Sequence, residues 1–399
     1  MRSDGKRNRK LDRAAQPSDT ADVAVTPRTS SLQNLLAAAA KQNTLKAAVL
    51  ERKGTWKRGA RAAEFKAMAS GLANLRESKL QSLVETAALD ALEFDNRDHT
   101  LDELQIAAVH ILDLAAPTSS KASVRALWAF VDRVRLGMRA NPFHDFRHVV
   151  DVLQCMNYML TIDEVAHRIR DLDRFTLLVA CLTHDLGHDG SNNLYLRKAG
   201  GPVFERYGTL EAMHAALAEE LIVSSGMLPV VAPGVNATSF VADVRALILA
   251  TDMEKHGELI GAFVASRGDK HLREILIKLA DISNVARPFE EARLWSRRLD
   301  AELRALAARD PGNASPPLTS IAVSVVGFST AFAMPIMSAL EVVGLAETAS
   351  IFKAGIVRNN AAWAALDSQV DDSATRQGRQ WSDVRPTSAR ASARSVGKY

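Results

Sequence analysis

Apolar residues recur at helical spacing through most of this chain, as in LQNLLAAAAKQNTLKAAVLERK, EFKAMASGLANLRESKLQSLVETAA and LDELQIAAVHILDLAA, whereas the strict alternation of a strand is scarce. Such stripes are buried helix against helix, so the expected fold is all-α. Turn chemistry interrupts the pattern at Ala116-Pro117-Thr118-Ser119-Ser120, Ala232-Pro233-Gly234 and Asp310-Pro311-Gly312-Asn313. There is no internal repeat.

Composition divides the 399 residues into four parts. Residues 1–31 and 367–399 are rich in Ser, Arg, Asp and Pro and poor in apolar periodicity, and are expected to be disordered tails. Residues 32–88 form a helical N-terminal region that suits either a regulatory or dimerising helix pair or the first layer of the domain. Residues 89–366 are expected to form one compact multi-helix catalytic domain. The formal charge is +4, and the two tails together carry about +5, which leaves the middle close to neutral. A basic nucleic-acid face on the folded part is therefore not expected. Cys155 and Cys181 both lie in apolar runs and are read as buried packing residues of a protein in a reducing, cytoplasmic compartment. No membrane span is expected, and the N-terminus lacks the apolar core of a secretory signal.

Two histidine pairs at a spacing of four, His144/His148 and His184/His188, carry the chemistry. Five of the ten histidines fall between His144 and His188, and Asp185 follows His184 directly. Imidazole and carboxylate are ligands for divalent transition metals, and a spacing of four puts two imidazoles on one helix face. FTLLVACLTHDLGHDG opens as an apolar helix that delivers His and Asp at its last turn, an unfavourable burial unless a cation compensates it. IKLADISNVARP places Asp281 at the end of another apolar run. His148, His184, Asp185 and Asp281 are therefore four candidate ligands from three helices, with Asp151 near the same face. For Glu211 and His214 in YGTLEAMH, a surface helix and a site role are equally supported, and Asp252 fits a helix charge near the site. Trp295, His110 and His271 read as core.

In their order along the chain, FHDFRHVVDV, ACLTHDLGHDGSNN, LEAMH, ATDMEKH, KLADISNVARP, Gly327-Phe328 and NAAW ending at Trp363 resemble the class I 3′,5′-cyclic nucleotide phosphodiesterases, members of the HD-domain metal phosphohydrolases. The resemblance implies a compact all-helical catalytic domain with two divalent metals and a role in cyclic nucleotide signal transduction. One metal, usually zinc, would be held by His148, His184, Asp185 and Asp281. The second, usually magnesium or else manganese, would share Asp185 and bind waters held by His188, Glu211 and Thr251. A hydroxide between the two cations would attack cAMP or cGMP, and His144 would be the general acid that protonates the departing 3′ oxygen. Phe328 would stack on the base, with Asn284 near it.

The departures fall on the base side. The family's purine-reading glutamine is Val325 here, which can pack on a base but cannot make paired amide hydrogen bonds. The acidic, Phe-rich stretch after the tryptophan is replaced by SRRLDAELRALAARDPG, leaving Asp300 and Glu302 as substitutes for the carboxylate that orients the acid histidine. Phe143 and Asp145 replace the usual Tyr and Asn, and Asp189 the usual Pro. The expected activity is thus cyclic nucleotide hydrolysis with relaxed base selectivity. The alternatives are an HD-type hydrolase of another phosphoester and a degenerate sensor that binds metal or nucleotide. Partners would be the nucleotide itself and, through the N-terminal helices, a second copy or a regulator.

Overall fold

The computed structural model describes residues 87–118, 120–313 and 320–382. The chain enters through two 3-10 turns, Ala87–Asp90 and Asn96–Asp98, and continues as α1 (Leu101–Ala115), α2 (Lys121–Gly137), α3 (Phe146–Met159), α4 (Asp163–Ala166) and α5 (Asp171–Thr183). Then come α6 (Asn193–Ala199), α7 (Pro202–Tyr207), α8 (Leu210–Ser225), α9 (Leu228–Val231), α10 (Ala237–Leu249), α11 (His256–Ser266) and α12 (Asp269–Asp281). The chain closes with α13 (Phe289–Arg309), α14 (Ile321–Phe328), a π turn (Ser329–Ala333), α15 (Met334–Val342) and α16 (Ala346–Ser382). No strand occurs among the described residues, as the helical periodicity predicts.

Every residue of α5 from Phe175 to Thr183 is buried, and α1, α3, α8, α10 and α12 pack around it. A helix apolar on all sides has no solvent face, so it takes the centre. Of its neighbours, α1, α3, α8 and α10 start at side-chain caps. Thr100 and Glu103 form a capping box on α1, and the Asp145 carboxylate accepts from the backbone N–H groups of Arg147 and His148 at the start of α3. Each such cap stabilises its helix by about 1 kcal/mol.

Arg287, fully buried in the turn after α12, ties α3 to the entering strand of chain. Its Nη1 donates to the Leu92 carbonyl and to Gln154 Oε1, both at 2.8 Å. Its Nη2 donates to the Asp151 carbonyl and carboxylate at 3.0 and 3.1 Å. Asp151, expected near the histidine face, is thus an internal counter-ion. Removing it would strand a buried guanidinium, a loss of about 3–5 kcal/mol.

Two expectations change. No charge interrupts the chain from Ile321 to Leu340, and the continuous helical run Ile321–Val342 is long and apolar enough to cross a membrane by length and composition. That apolarity has a place in the fold, because Ala322, Ala333, Ile336, Met337, Ala339 and Leu340 are buried against the domain while Val323 and Val342 face outward. Helix α16 runs through position 367 to Ser382, beyond the expected domain end. The 1–31 tail, nearly all of the 32–88 region and positions 383–399 lie outside the described residues.

Candidate metal centre

Three helix segments meet at the open end of α5. The first turn of α3 carries His148, the end of α5 carries His184 followed by Asp185, and the last residue of α12 is Asp281. Gly187, at φ +82°, turns the chain sharply after Asp185; a Cβ there would both strain the backbone and strike Leu217.

All four sequence-derived ligands converge. His148 Nε2 lies 3.3 Å from Asp185 Oδ2 and 3.2 Å from Asp281 Oδ1, and His184 Nε2 lies 3.2 Å from each of the same two oxygens. His184 Nδ1 donates to the Cys181 carbonyl at 2.8 Å, so the lone pair of the neutral ring sits on Nε2 and points at two carboxylates. His148 Nε2 and Asp185 Oδ2 are buried without a hydrogen-bond partner. Lone pairs and anionic oxygens facing one another in a buried space call for a positive charge between them, and this donor set fits a divalent cation. Without one, protons take that place. Burial pulls His148 down, but Asp185 and Asp281 beside it outweigh burial and push it up to about 9. Burial raises the Asp185 and Asp281 carboxyls, and the adjoining histidines overcome this and hold both below the ordinary carboxylate range.

A second group, Asp185, His188 and His214, offers ligand atoms within 4.8 Å of one another. His214 is 1% exposed, donates from Nδ1 to the Leu186 carbonyl at 2.9 Å, and aims Nε2 at Asp185 Oδ1 from 3.9 Å. Of the two readings left open for it, the surface helix is thereby excluded for His214. The signal was the step of three from Glu211 on α8. Burial drives both His188 and His214 below the usual histidine range. His188 Nδ1 accepts from the Gly190 N–H at 3.0 Å, which puts the ring hydrogen on Nε2. Glu211 accepts from Asn193 at 2.9 Å and is pushed up by burial. Thr251 sits in a turn braced by Lys278, a fully buried lysine that donates to the carbonyls of Ala250, Thr251 and Asp252 at 3.0, 3.0 and 2.9 Å. Lys278 gave no sequence signal, since a lysine in an apolar helix normally reads as a solvent-facing residue.

His144, one turn before His148, lies outside this cluster but against it, with ring centroids 5.6 Å apart. Its Nδ1 is 2.5 Å from Glu302 Oε1, and Glu302 Oε2 accepts from the backbone N–H groups of Phe143 and His144 at 2.9 and 3.0 Å. Burial raises the Glu302 carboxyl, and the His144 ring with these N–H groups outweighs it and holds Glu302 below its ordinary value. Of the two substitutes considered, Glu302 is thus the partner of His144. Asp300 instead accepts from Arg304 at 2.7 Å. The replacement segment therefore keeps an orienting carboxylate. Trp295, fully buried as expected, meets Phe143 and His148 edge-on at 5.4 and 5.8 Å. His271 is not core: its Nδ1 pairs with Ser266 Oγ near the surface.

The base-side residues are placed more loosely. Val325 and Phe328 lie half-buried on α14 against the domain core, and the Phe328 ring meets Phe332 of the π turn at 5.1 Å. Asn284 sits in the 3-10 turn Ser283–Val285 just after Asp281. Among the described residues, no hydrogen bond, ion pair or ring contact joins these three to the metal cluster.

A family profile for 3′5′-cyclic nucleotide phosphodiesterases matches residues 143–352. The chain is 32% identical over 229 residues to the 3′,5′-cyclic-nucleotide phosphodiesterase regA of Dictyostelium discoideum, covering 53% of this chain and 29% of that protein. It is likewise 32% identical over 207 residues to the high affinity cGMP-specific 3′,5′-cyclic phosphodiesterase 9A of Homo sapiens, covering 47% of this chain and 33% of that one. The chain thus spans a third or less of the length of these curated relatives. Among solved structures, LmjPDEB1 in complex with IBMX superposes with a TM-score of 0.63 at 22% identity, over 73% of this chain and 98% of that one. The phosphodiesterase domain of the Salpingoeca rosetta rhodopsin phosphodiesterase gives 0.63 at 23% identity, over 75% and 97%. These two likenesses show a shared fold.

Proposed function

Because the chain belongs to the 3′,5′-cyclic nucleotide phosphodiesterase family, we propose that it hydrolyses 3′,5′-cyclic nucleotides to 5′-nucleoside monophosphates. The observation that carries this reading is the juxtaposition of the four candidate ligands with a histidine, His144, whose Nδ1 is held by its own carboxylate, Glu302. His148, His184, Asp185 and Asp281 would hold one divalent cation, which we assign as zinc. Asp185 would be shared with a second, magnesium or manganese, whose waters His188, Glu211 and Thr251 would hold. Bound there, the cations would supply Lewis acidity toward the phosphate and a water acidic enough to attack it at neutral pH.

The chain's own residues supply the rest. Glu302 accepts from Nδ1–H of His144, which leaves Nε2 as the ring atom that gives a proton to the departing 3′ oxygen. An alkoxide is a poor leaving group without that proton. His188, its hydrogen on Nε2, is set to donate to a water. Burial of the cluster at the end of α5 strengthens each of these interactions relative to bulk water.

Val325 favours relaxed base selectivity within this reading. Without an amide, the contrast between purines loses about 1–3 kcal/mol of polar readout. Cys155 and Cys181, buried and free, support a reducing, cytoplasmic setting. A second copy or a regulatory partner would engage the chain before residue 89.

Purified protein with Mg²⁺ or Mn²⁺, assayed on cAMP, cGMP and a pyrimidine cyclic nucleotide, tests the proposal. Turnover of at least one is expected. Turnover only of other phosphoesters would replace it with the broader HD hydrolase reading, and stoichiometric metal with no turnover of any substrate would replace it with a sensor.

A further inference from the structure

Asn141 precedes the first residue matched by the family profile and bridges two loops that carry site histidines. Its Nδ2 donates to the backbone carbonyl of His144 and to that of His188, each at 2.9 Å. Both partners can only accept, so the NH₂ end of the amide must face them, and the reversed amide would set oxygen against oxygen. The two bridged residues are neighbours through their side chains as well. Their rings stack with centroids 3.8 Å apart and planes 20° from parallel.

The hydrogen bonds of Glu302 act on the His144 side of this pair, at the ring Nδ1 and at the backbone N–H groups of Phe143 and His144. The His188 loop is flanked by Gly187 and Gly190, at φ +82° and +78°, so its path runs through two backbone conformations that side-chain-bearing residues rarely adopt. We infer that Asn141 is a positioning residue of the proposed hydrolysis: by clamping the backbones of His144 and His188 together, it sets where the acid nitrogen of His144 stands relative to the metal cluster. The inference rests on the proposed role of His144 as general acid.

The test compares two substrates on the full chain with Mn²⁺. A cyclic nucleotide releases an alkoxide that needs the acid's proton; bis(p-nitrophenyl) phosphate releases a phenolate that does not. His144→Gln is the control for the underlying reading and should lose activity on the cyclic nucleotide alone. Asn141→Ala should lower kcat on the cyclic nucleotide by about 10- to 100-fold, the scale of a misplaced reacting group. Its KM, its zinc content and its rate on the p-nitrophenyl ester should stay near those of the parent. Asn141→Asp, equal in size but presenting oxygens to two carbonyls, should lose more than Asn141→Ala. Equal losses on both substrates, loss of zinc in step with activity, or no loss at all would each overturn the inference while leaving the His144 control intact. If His144→Gln itself loses equally on both substrates, the general-acid reading fails instead.

Discussion

Glu302 stands 158 positions from His144 in sequence and 2.5 Å from its Nδ1 in the fold. One carboxylate there accepts from the ring and from two backbone N–H groups, so it fixes both the tautomer and the loop. Glu302→Gln removes one acceptor oxygen and should lower kcat by about 10²- to 10⁴-fold with a small change in KM, the range that a positioned general acid supplies. Asp300→Asn should stay close to the parent. Steady-state kinetics on a cyclic nucleotide check the pair, and the reverse order would move the orienting role to Asp300.

From α12, Asp281 reaches both His148 and His184, at 3.2 Å in each case, and Asp185 reaches both from the end of α5. Asp281→Ala should leave the purified protein without stoichiometric zinc, read by elemental analysis, whereas Glu291→Gln should keep it. Chelation of the parent should lower Tm, because a ligand present at about 1,000 times its Kd stabilises the native state by about 4 kcal/mol. Unchanged zinc in Asp281→Ala would remove this residue from the ligand set.

Glu291, at the start of α13, is 1% exposed, and among the described residues neither carboxyl oxygen has a hydrogen-bond partner. Burial, with Asp151 adding to it, pushes its carboxyl up to about 8 from an ordinary 4.5. Between these values the folded chain binds a proton that the unfolded chain has released, so stability falls as pH rises from about 4.5 to about 8 and is level again above. Glu291→Gln removes this dependence. Its Tm should exceed the parent's at pH 8 and match it at pH 4.5; an equal difference at both pH values would show that another group titrates.

On the proposed function, Val325 would stand where an amide would read a purine. Val325→Gln should lower KM for one purine cyclic nucleotide and widen the gap to the other, by roughly 10-fold for a paired hydrogen bond of about 1–3 kcal/mol. If KM values for cAMP, cGMP and a pyrimidine cyclic nucleotide all stay put, Val325 does not face the base.

Local pattern carried a large part of this protein. Periodicity alone implied an all-α fold, and the spacing of His144, His148, His184, Asp185 and Asp281 implied a metal centre, because helical geometry converts sequence intervals into faces and a buried His-Asp pair needs a cation. Sequence is least informative where the deciding contact is remote or one-sided. For His214 on α8 a surface helix and a site role are equally supported until the end of α5 is packed against it. The uncharged run from Ile321 to Leu340 is long and apolar enough for a span by length and composition, and part of it is buried against the domain.

By itself the sequence determined the helical character of the chain and brought forward His148, His184, Asp185 and Asp281 as candidate ligands, because periodicity and spacing are set by neighbours within a turn or two. Only the tertiary structure decided which carboxylate serves His144, that Asp151 pairs with Arg287, and that Lys278 and Asn141 brace the turns around the site. Each of these is one polar atom meeting another across 26 to 158 residues of chain, where hydrogen-bond geometry selects among many chemically equivalent candidates and sequence spacing carries no information.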